Sequence, residues 1–258
     1  MANAPTESDR TQLLMSELPL ILSMDTATPG GSICLMRGDR ILASVIGDRE
    51  ISHSSTLLRD IERALMSSGV TIREISLFAA AAGPGSFTGL RIGLATVKAL
   101  AATLGRPCIG IPTLHAVARA GGVSDTTVAL LPAGRGELFA QLLSVSPDGV
   151  VTEQDAASHL PAYAIIEKYG SLRNVNWAGA GAHSQRGFLQ AQAENAGVEF
   201  ETGSAESGGW KLAVKEENLA PEIAALAQRR LPPGPADTAE SLRAIYVRPS
   251  DPELKACQ

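Results

Sequence analysis

The chain has 258 residues, a formal net charge of −5 at pH 7, and 45% hydrophobic but only 4% aromatic residues. This length allows one large domain or two modest ones, and the acidic balance argues against a protein that holds nucleic acid through its overall field. A core made mainly of Ala, Leu, Ile and Val favours an α/β fold.

The cysteines exclude a disulfide framework. Cys34, Cys108 and Cys257 are odd in number, far apart and without CxxC spacing, which indicates a reducing compartment. No uninterrupted apolar run approaches the ~20 residues that span a bilayer. Residues 1–17 are polar and lack the pattern of a signal peptide, so we expect a disordered extension on a cytoplasmic protein that does not contact a membrane.

The first half of the chain alternates strand and helix patterns. Apolar runs bounded by Gly, Pro and Asp predict five strands, at residues 20–24, 32–36, 41–46, 75–82 and 107–111. Amphipathic or apolar stretches predict three helices, at residues 53–68, from the N-cap Ser86 to a point before Pro107, and at 114–120. The resulting order is β-β-β-α-β-α-β, followed by a further helix.

A second α/β unit follows the Gly121-Gly122 and Ser124-Asp125 segment, which we interpret as a domain boundary. Its predicted strands are 127–131, 137–145 and 175–178, and its predicted helices are 161–169, 183–195 and 221–230. We therefore divide the chain into the extension 1–17, a first lobe 18–121 and a second lobe 122–258 with a C-terminal tail. This order fits the two-lobed actin-like, sugar-kinase-like (ASKHA, ribonuclease H-like) architecture with a mixed sheet in each lobe, an analogy that fixes no function.

Three glycines recur at four-residue spacing, Gly85, Gly89 and Gly93, and the last two lie inside the helix after Ser86. An interior glycine costs roughly 0.5–1 kcal/mol relative to alanine, so this stripe requires a reason. The simplest reason is that another backbone, of this chain or of a partner, lies close to it. We favour a partner, which makes this a helix shared between its own sheet and a second protein.

Residues 20–120 resemble the TsaB (also called YeaZ) family. The resemblance rests on the segments Ile21–Thr28, His53-Ser54 with the Leu-Leu helix that follows, Gly83–Lys98 (with its GPGSFTGLRIG string) and Leu104–Ile111. It survives in the second lobe as Gly136–Phe139, Gly179–Gly181 and Tyr246–Arg248. Before Gly136 the family usually has Asp-Ala-Arg, whereas Pro132, Ala133 and Gly134 stand in this chain, so we assign no binding role to that loop.

The resemblance implies a role in placing a threonylcarbamoyl group on adenosine 37 of tRNA. Members of the family are regarded as non-catalytic subunits that bind the catalytic subunit TsaD. A TsaE-type ATPase as a further partner, a homodimer when the chain is alone, and indirect contact with tRNA through the complex follow from the same resemblance. The metal-binding HxxxH pair of TsaD corresponds to Thr113 and Val117 here, so we assign no metal site and no catalytic residue.

The helices that begin at His53 and Ser86 would pack against the equivalent pair of TsaD. We predict that small residues allow close approach, that leucines and isoleucine supply apolar area and that two cations form the rim of this interface. The predicted interface residues are Leu57, Leu58, Ile61, Gly89, Leu90, Arg91, Gly93, Leu94 and Lys98.

Two further segments have the residue types of a nucleotide site. Asp25, Thr26 and Thr28 occupy the hairpin position that holds phosphate in actin-like ATPases, and Gly179 and Gly181 occupy a second-lobe loop that approaches nucleotide. Side chains of these types also satisfy open backbone groups at a strand end, which we favour for Asp25. No cofactor is required in this interpretation, and ATP or ADP at a subunit interface is left as an open alternative. The rival functions are an independent ATP-dependent enzyme and a nucleotide-binding regulator.

Overall fold

The computed structural model describes residues 18–50, 53–203, 208–232, 234 and 237–247, and for residues 53 and 54 the backbone only. The predicted extension 1–17 and the chain after residue 247 lie outside the described residues. Two sheets form the frame. In the first, the strand order is β3-β2-β1-β4-β5; in the second it is β11-β12-β10-β6-β7-β8, with β9 paired to β7.

The first sheet contains the five predicted strands. Its strands are β1 Leu20–Asp25, β2 Ser32–Arg37, β3 Arg40–Ile46, β4 Leu77–Gly83 and β5 Cys108–Pro112. β1, β2 and β3 are antiparallel neighbours, while β1, β4 and β5 run parallel. Every residue of β1 and β4 is buried, as expected for central strands that are covered on both faces.

Three helices accompany this sheet: α1 His53–Ser68, α2 Phe87–Leu104 and α3 Thr113–Ala120. The predicted cap of α2 is confirmed, because the Ser86 hydroxyl accepts a hydrogen bond of 3.2 Å from the Gly89 amide. Gly105 ends the helix in the left-handed conformation, with φ of 63°, which a residue without Cβ adopts at low cost.

The second lobe contains more elements than the sequence predicted. Its strands are β6 Ser124–Gly134, β7 Glu137–Val145, β8 Val151–Glu153, β9 Ser158–Pro161, β10 Val175–Ala178, β11 Phe200–Thr202 and β12 Trp210–Leu212. Its helices are α4 Ala162–Tyr169, α5 Ala180–Ser184 and α6 Arg186–Asn195. The predicted helix 183–195 is therefore two helices that meet at Gln185, and the predictions missed the short strands β8, β9, β11 and β12.

Each lobe contains a helix that comes from the other part of the chain. α3 follows the first sheet but packs on β6 and β7, whereas the last helix, α7 Ala220–Gln228, packs on β1 and β2. The Ser23 hydroxyl donates to the Ala220 carbonyl at 2.7 Å, and the Ala220 amide donates to the Ser32 hydroxyl at 3.0 Å. α3 and α7 also contact each other, so both lie between the sheets.

The C-terminal segment continues along the first lobe. The Cys108 amide donates to the Asp237 carbonyl at 3.1 Å, and the Ile245 amide donates to the Ala82 carbonyl at 2.7 Å. α7, Asp237 and Ile245 therefore lie with the first sheet, although the prediction placed all of 122–258 in the second lobe. Sequence order alone does not reveal this return, because the helix pattern is the same on either sheet.

Candidate functional site

The glycine stripe of α2 is occupied by the turn that follows β1. A Cβ atom at Gly89 would lie 1.9 Å from the Thr26 carbonyl oxygen, and one at Gly93 would lie 2.1 Å from Thr26 Oγ1. A Cβ atom at Gly85 would likewise lie 2.6 Å from the Ala27 carbonyl oxygen. The prediction of a closely approaching backbone is confirmed, but the preference for a partner is wrong, because that backbone belongs to this chain.

Most of the predicted interface residues are buried within the chain. The buried ones share a position on the inner sides of α1 and α2, and they are Leu57, Ile61, Gly89, Leu90, Gly93 and Leu94. Leu57, Ile61 and Leu94 pack in one hydrophobic cluster with the first sheet. In this structure they are core residues. Leu58 and Arg91 are exposed, and Lys98 is half-buried.

The outer sides of α1 and α2 expose apolar and small residues. On α1, Leu58 and Met66 are 68% and 76% exposed. On α2, Arg91, Ala95 and Ala99 are exposed, at helical spacing and on the side opposite the glycines. We call Leu58, Met66, Arg91, Ala95 and Ala99 the outer helix surface. Met66, Ala95 and Ala99 were not among the predicted interface residues, although the helical period already separates the two alanines from the glycine side of α2.

The Asp25 carboxylate closes the turn after β1. Its Oδ1 accepts from the amides of Ala27 at 2.7 Å and Thr28 at 3.3 Å, and its Oδ2 accepts from the Thr28 hydroxyl. Asp25 is 1% exposed. Thr26 is also buried, and its hydroxyl lies next to Gly93. Among the described residues this hydroxyl has no hydrogen-bond partner. These contacts favour the turn-stabilising interpretation of Asp25, Thr26 and Thr28.

We expect the replacement of Asp25 to affect stability according to how many of these bonds survive. Asp25→Ala leaves buried backbone amides without an acceptor and should lower the free energy of unfolding by about 3 kcal/mol. Asp25→Asn keeps one accepting oxygen and should cost about 1 kcal/mol. Denaturant unfolding followed by circular dichroism measures both variants. Equal stability of Asp25→Ala and the unaltered chain would contradict the structural role.

The second-lobe glycines also serve packing. A Cβ atom at Gly179 would lie 2.5 Å from the Leu130 carbonyl oxygen, and Gly179 has φ of 94°. At Gly181 a Cβ atom would lie 2.7 Å from the Leu130 carbonyl carbon. Both glycines allow α5 to lie directly on β6, which accounts for them without a nucleotide.

Thr113 and Val117, the positions that the resemblance aligned with an HxxxH pair, are structural here. The Thr113 hydroxyl accepts a 3.2 Å bond from the Gly83 amide, and Val117 lies in the core between the sheets. His115, between them in sequence, pairs with Glu153 at 2.8 Å, and burial lowers the pKa of its imidazole. Within the described part of the chain, no group of three or more His, Cys, Asp and Glu side chains is arranged to hold a metal ion.

A cavity of about 510 Å³ lies between the lobes. The first lobe supplies the turn at Ala27–Pro29 and the segment Pro84–Phe87, the second lobe supplies Leu131–Gly134 and Phe139, and Ile245–Val247 lines one side. At its rim the Phe87 and Tyr246 rings are 5.7 Å apart, and the Arg91 guanidinium lies 3.9 Å from the centre of the Phe87 ring. Leu90 and Ala180 complete the lining. The sequence analysis did not identify this cavity, because its walls come from five separate segments.

By length and composition alone, α2 is apolar enough to cross a membrane. In the structure it lies against β4, and Gly89, Leu90 and Val97 are buried. Its apolar character is therefore accounted for by its place in the first lobe, between the sheet and the outer surface.

A family model described as TsaD, tRNA N6-adenosine threonylcarbamoyltransferase, matches residues 45–156. The proteins named tRNA threonylcarbamoyladenosine biosynthesis protein TsaB from Haemophilus influenzae and Escherichia coli are 31% and 32% identical to this chain over 123 residues. Each match covers 46% of this chain and 51% or 52% of the relative. The chain thus spans about half the length of the curated relatives it matches.

A solved structure titled YeaZ from Pseudomonas aeruginosa superimposes on this fold with a TM-score of 0.68. The match covers 89% of this chain and 100% of the other at 22% identity. It extends the likeness through the second lobe and confirms the predicted two-lobed α/β architecture.

Proposed function

We propose that this chain, which is similar to proteins named TsaB and matches the TsaD family model over residues 45–156, belongs to the TsaB (YeaZ) family and is a non-catalytic scaffold subunit of tRNA threonylcarbamoyladenosine biosynthesis. In this role it binds and activates a TsaD-type threonylcarbamoyltransferase, which modifies adenosine 37 of tRNA. The names of the similar proteins support this pathway.

The observation that carries the scaffold role is the outer helix surface. Leu58 and Met66 place large apolar side chains in solvent, and exposed apolar area of this kind marks protein interaction sites. On the neighbouring helix, Ala95 and Ala99 are exposed and project little from α2, so another helix can approach that side closely. Arg91 lies at the edge, where an arginine suits the polar rim of an interface. A stable contact would bury about 1,600 Å² in total.

A homodimer follows from the same surface, and the other partners follow from the family resemblance. When the catalytic subunit is absent, two copies of this chain would pair through the outer helix surface, because the apolar residues would otherwise stay in water. A TsaE-type ATPase would join the assembled complex, tRNA would be bound through it, and the protein would act in the cytoplasm. This chain would require no cofactor of its own, and ATP or ADP would bind at a contact between subunits.

Reconstitution tests this proposal directly. A TsaD-type subunit from the same organism, supplied with the other pathway enzymes, should modify tRNA only when this chain is added. The two subunits should elute as one complex in size-exclusion chromatography, and this chain alone should leave tRNA unmodified. The proposal fails if the two subunits do not associate, or if modification is as fast without this chain as with it.

A further inference from the structure

We infer that the cavity between the lobes is a binding site for an uncharged, flat and largely apolar small molecule. Its volume of about 510 Å³ lies within the range of small-molecule sites in proteins. No residue of the outer helix surface lines the cavity, and Arg91 of that surface lies only at its rim, over the Phe87 ring, so the inference does not depend on the proposed scaffold function.

The chemistry of the walls decides the charge of the ligand. Of the described residues that line the cavity, none carries a charged side chain, and prolines, aliphatic residues and aromatic rings make up most of the surface. A phosphate group buried against these walls would lose its water without meeting a cation, because the Arg91 guanidinium lies outside the lining and is stacked over the Phe87 ring, and such a loss is costly. The cavity therefore favours a neutral molecule over a nucleotide, although it lies between the two lobes.

The nearest carboxylate does not change this assignment. Asp25 is close in sequence to the lining residues Ala27 and Thr28, but its oxygens accept hydrogen bonds from that turn. The Thr28 hydroxyl is likewise engaged, as the donor to Asp25. The Asp25 carboxylate and the Thr28 hydroxyl are thus used within the turn, and Ala27 and Pro29 supply apolar surface to the cavity.

Aromatic rings at the rim favour a flat ligand. Phe87 and Tyr246 are inclined at 39° with their ring centres 5.7 Å apart, and Tyr246 is 43% exposed. A planar ligand can pack against an exposed ring in offset or edge-on geometry. Arg91 stacks over the Phe87 ring and thereby holds this ring in place at the rim.

The neutral naphthalene dye PRODAN provides a probe of this site, since its emission shifts to the blue when it leaves water. We expect saturable binding of one dye molecule per chain. Ala133→Trp, which fills the cavity from the second-lobe wall, should weaken binding at least tenfold, and Tyr246→Ala should weaken it three- to tenfold. Ala196→Trp is the matched control, because Ala196 is exposed at the end of α6, and it should bind like the unaltered chain.

ATP and ADP are then tested as competitors of the dye. At millimolar concentration neither nucleotide should displace the dye. The inference is overturned if the unaltered chain shows no saturable binding, if folded Ala133→Trp and Tyr246→Ala bind as tightly as the control, or if a nucleotide displaces the dye. Circular dichroism establishes that each variant is folded, and should Ala133→Trp fail to fold, Tyr246→Ala alone decides the outcome.

Discussion

Gly89→Ala should destabilise the first lobe by at least about 3 kcal/mol, the upper range for overpacking a core. The added methyl would lie 1.9 Å from the Thr26 carbonyl oxygen, and neither the helix nor the turn can move independently. α2 is held against β4, and the turn is fixed by Asp25. Alanine also raises helix propensity by roughly 0.5–1 kcal/mol, but the clash exceeds that gain. Denaturant unfolding measures the change.

A double-mutant cycle separates the two glycines. At Gly93 the clash is with the side chain of Thr26, since the methyl of an alanine there would lie 2.1 Å from Thr26 Oγ1. Thr26→Ala should therefore restore much of the stability lost in Gly93→Ala, whereas it should not rescue Gly89→Ala, where the obstacle is backbone. If both alanine variants are as stable as the unaltered chain and lose only partner binding, the glycines face a partner after all.

Gly89 and Gly93 show which part of a tertiary contact the sequence predicts and which part it does not. Four-residue spacing in a helix identifies a side that something approaches closely, because glycine there has a cost that must be offset. The pattern does not say which backbone approaches. The answer depends on how the turn after β1 folds over α2, and that is a tertiary contact between residues more than sixty positions apart.

The lobes differ in how well local patterns predicted them. The first sheet was predicted strand by strand, since its strands are long, apolar and separated by clear turn residues. In the second lobe the missed strands have three or four residues, too few to show an alternating pattern. The position of α7 on the first sheet was also missed, because an apolar helix face does not indicate which of two sheets will cover it.

Two adjacent leucines on α1 show that the sequence alone could not identify which helix residues are exposed to a partner. Leu57 and Leu58 are alike in sequence, yet Leu57 is 6% and Leu58 is 68% exposed. Neighbouring helix residues point about 100° apart, so one faces the sheet and the other faces solvent. The predicted interface included both because the sequence does not fix the rotation of the helix on its sheet.

Leu58→Glu should therefore abolish association with a TsaD-type subunit and stop tRNA modification in the reconstituted system, while the isolated chain stays folded. An unpaired charge buried at a contact costs several kcal/mol, and every 1.4 kcal/mol weakens binding tenfold. Leu57→Glu should instead unfold the first lobe, because its side chain lies in the core with Ile61 and Leu94. Tyr163→Glu is the matched surface control, since Tyr163 is 65% exposed in the second lobe, and it should leave association intact. Normal modification by a folded Leu58→Glu variant would show that the scaffold contact lies elsewhere on the molecule.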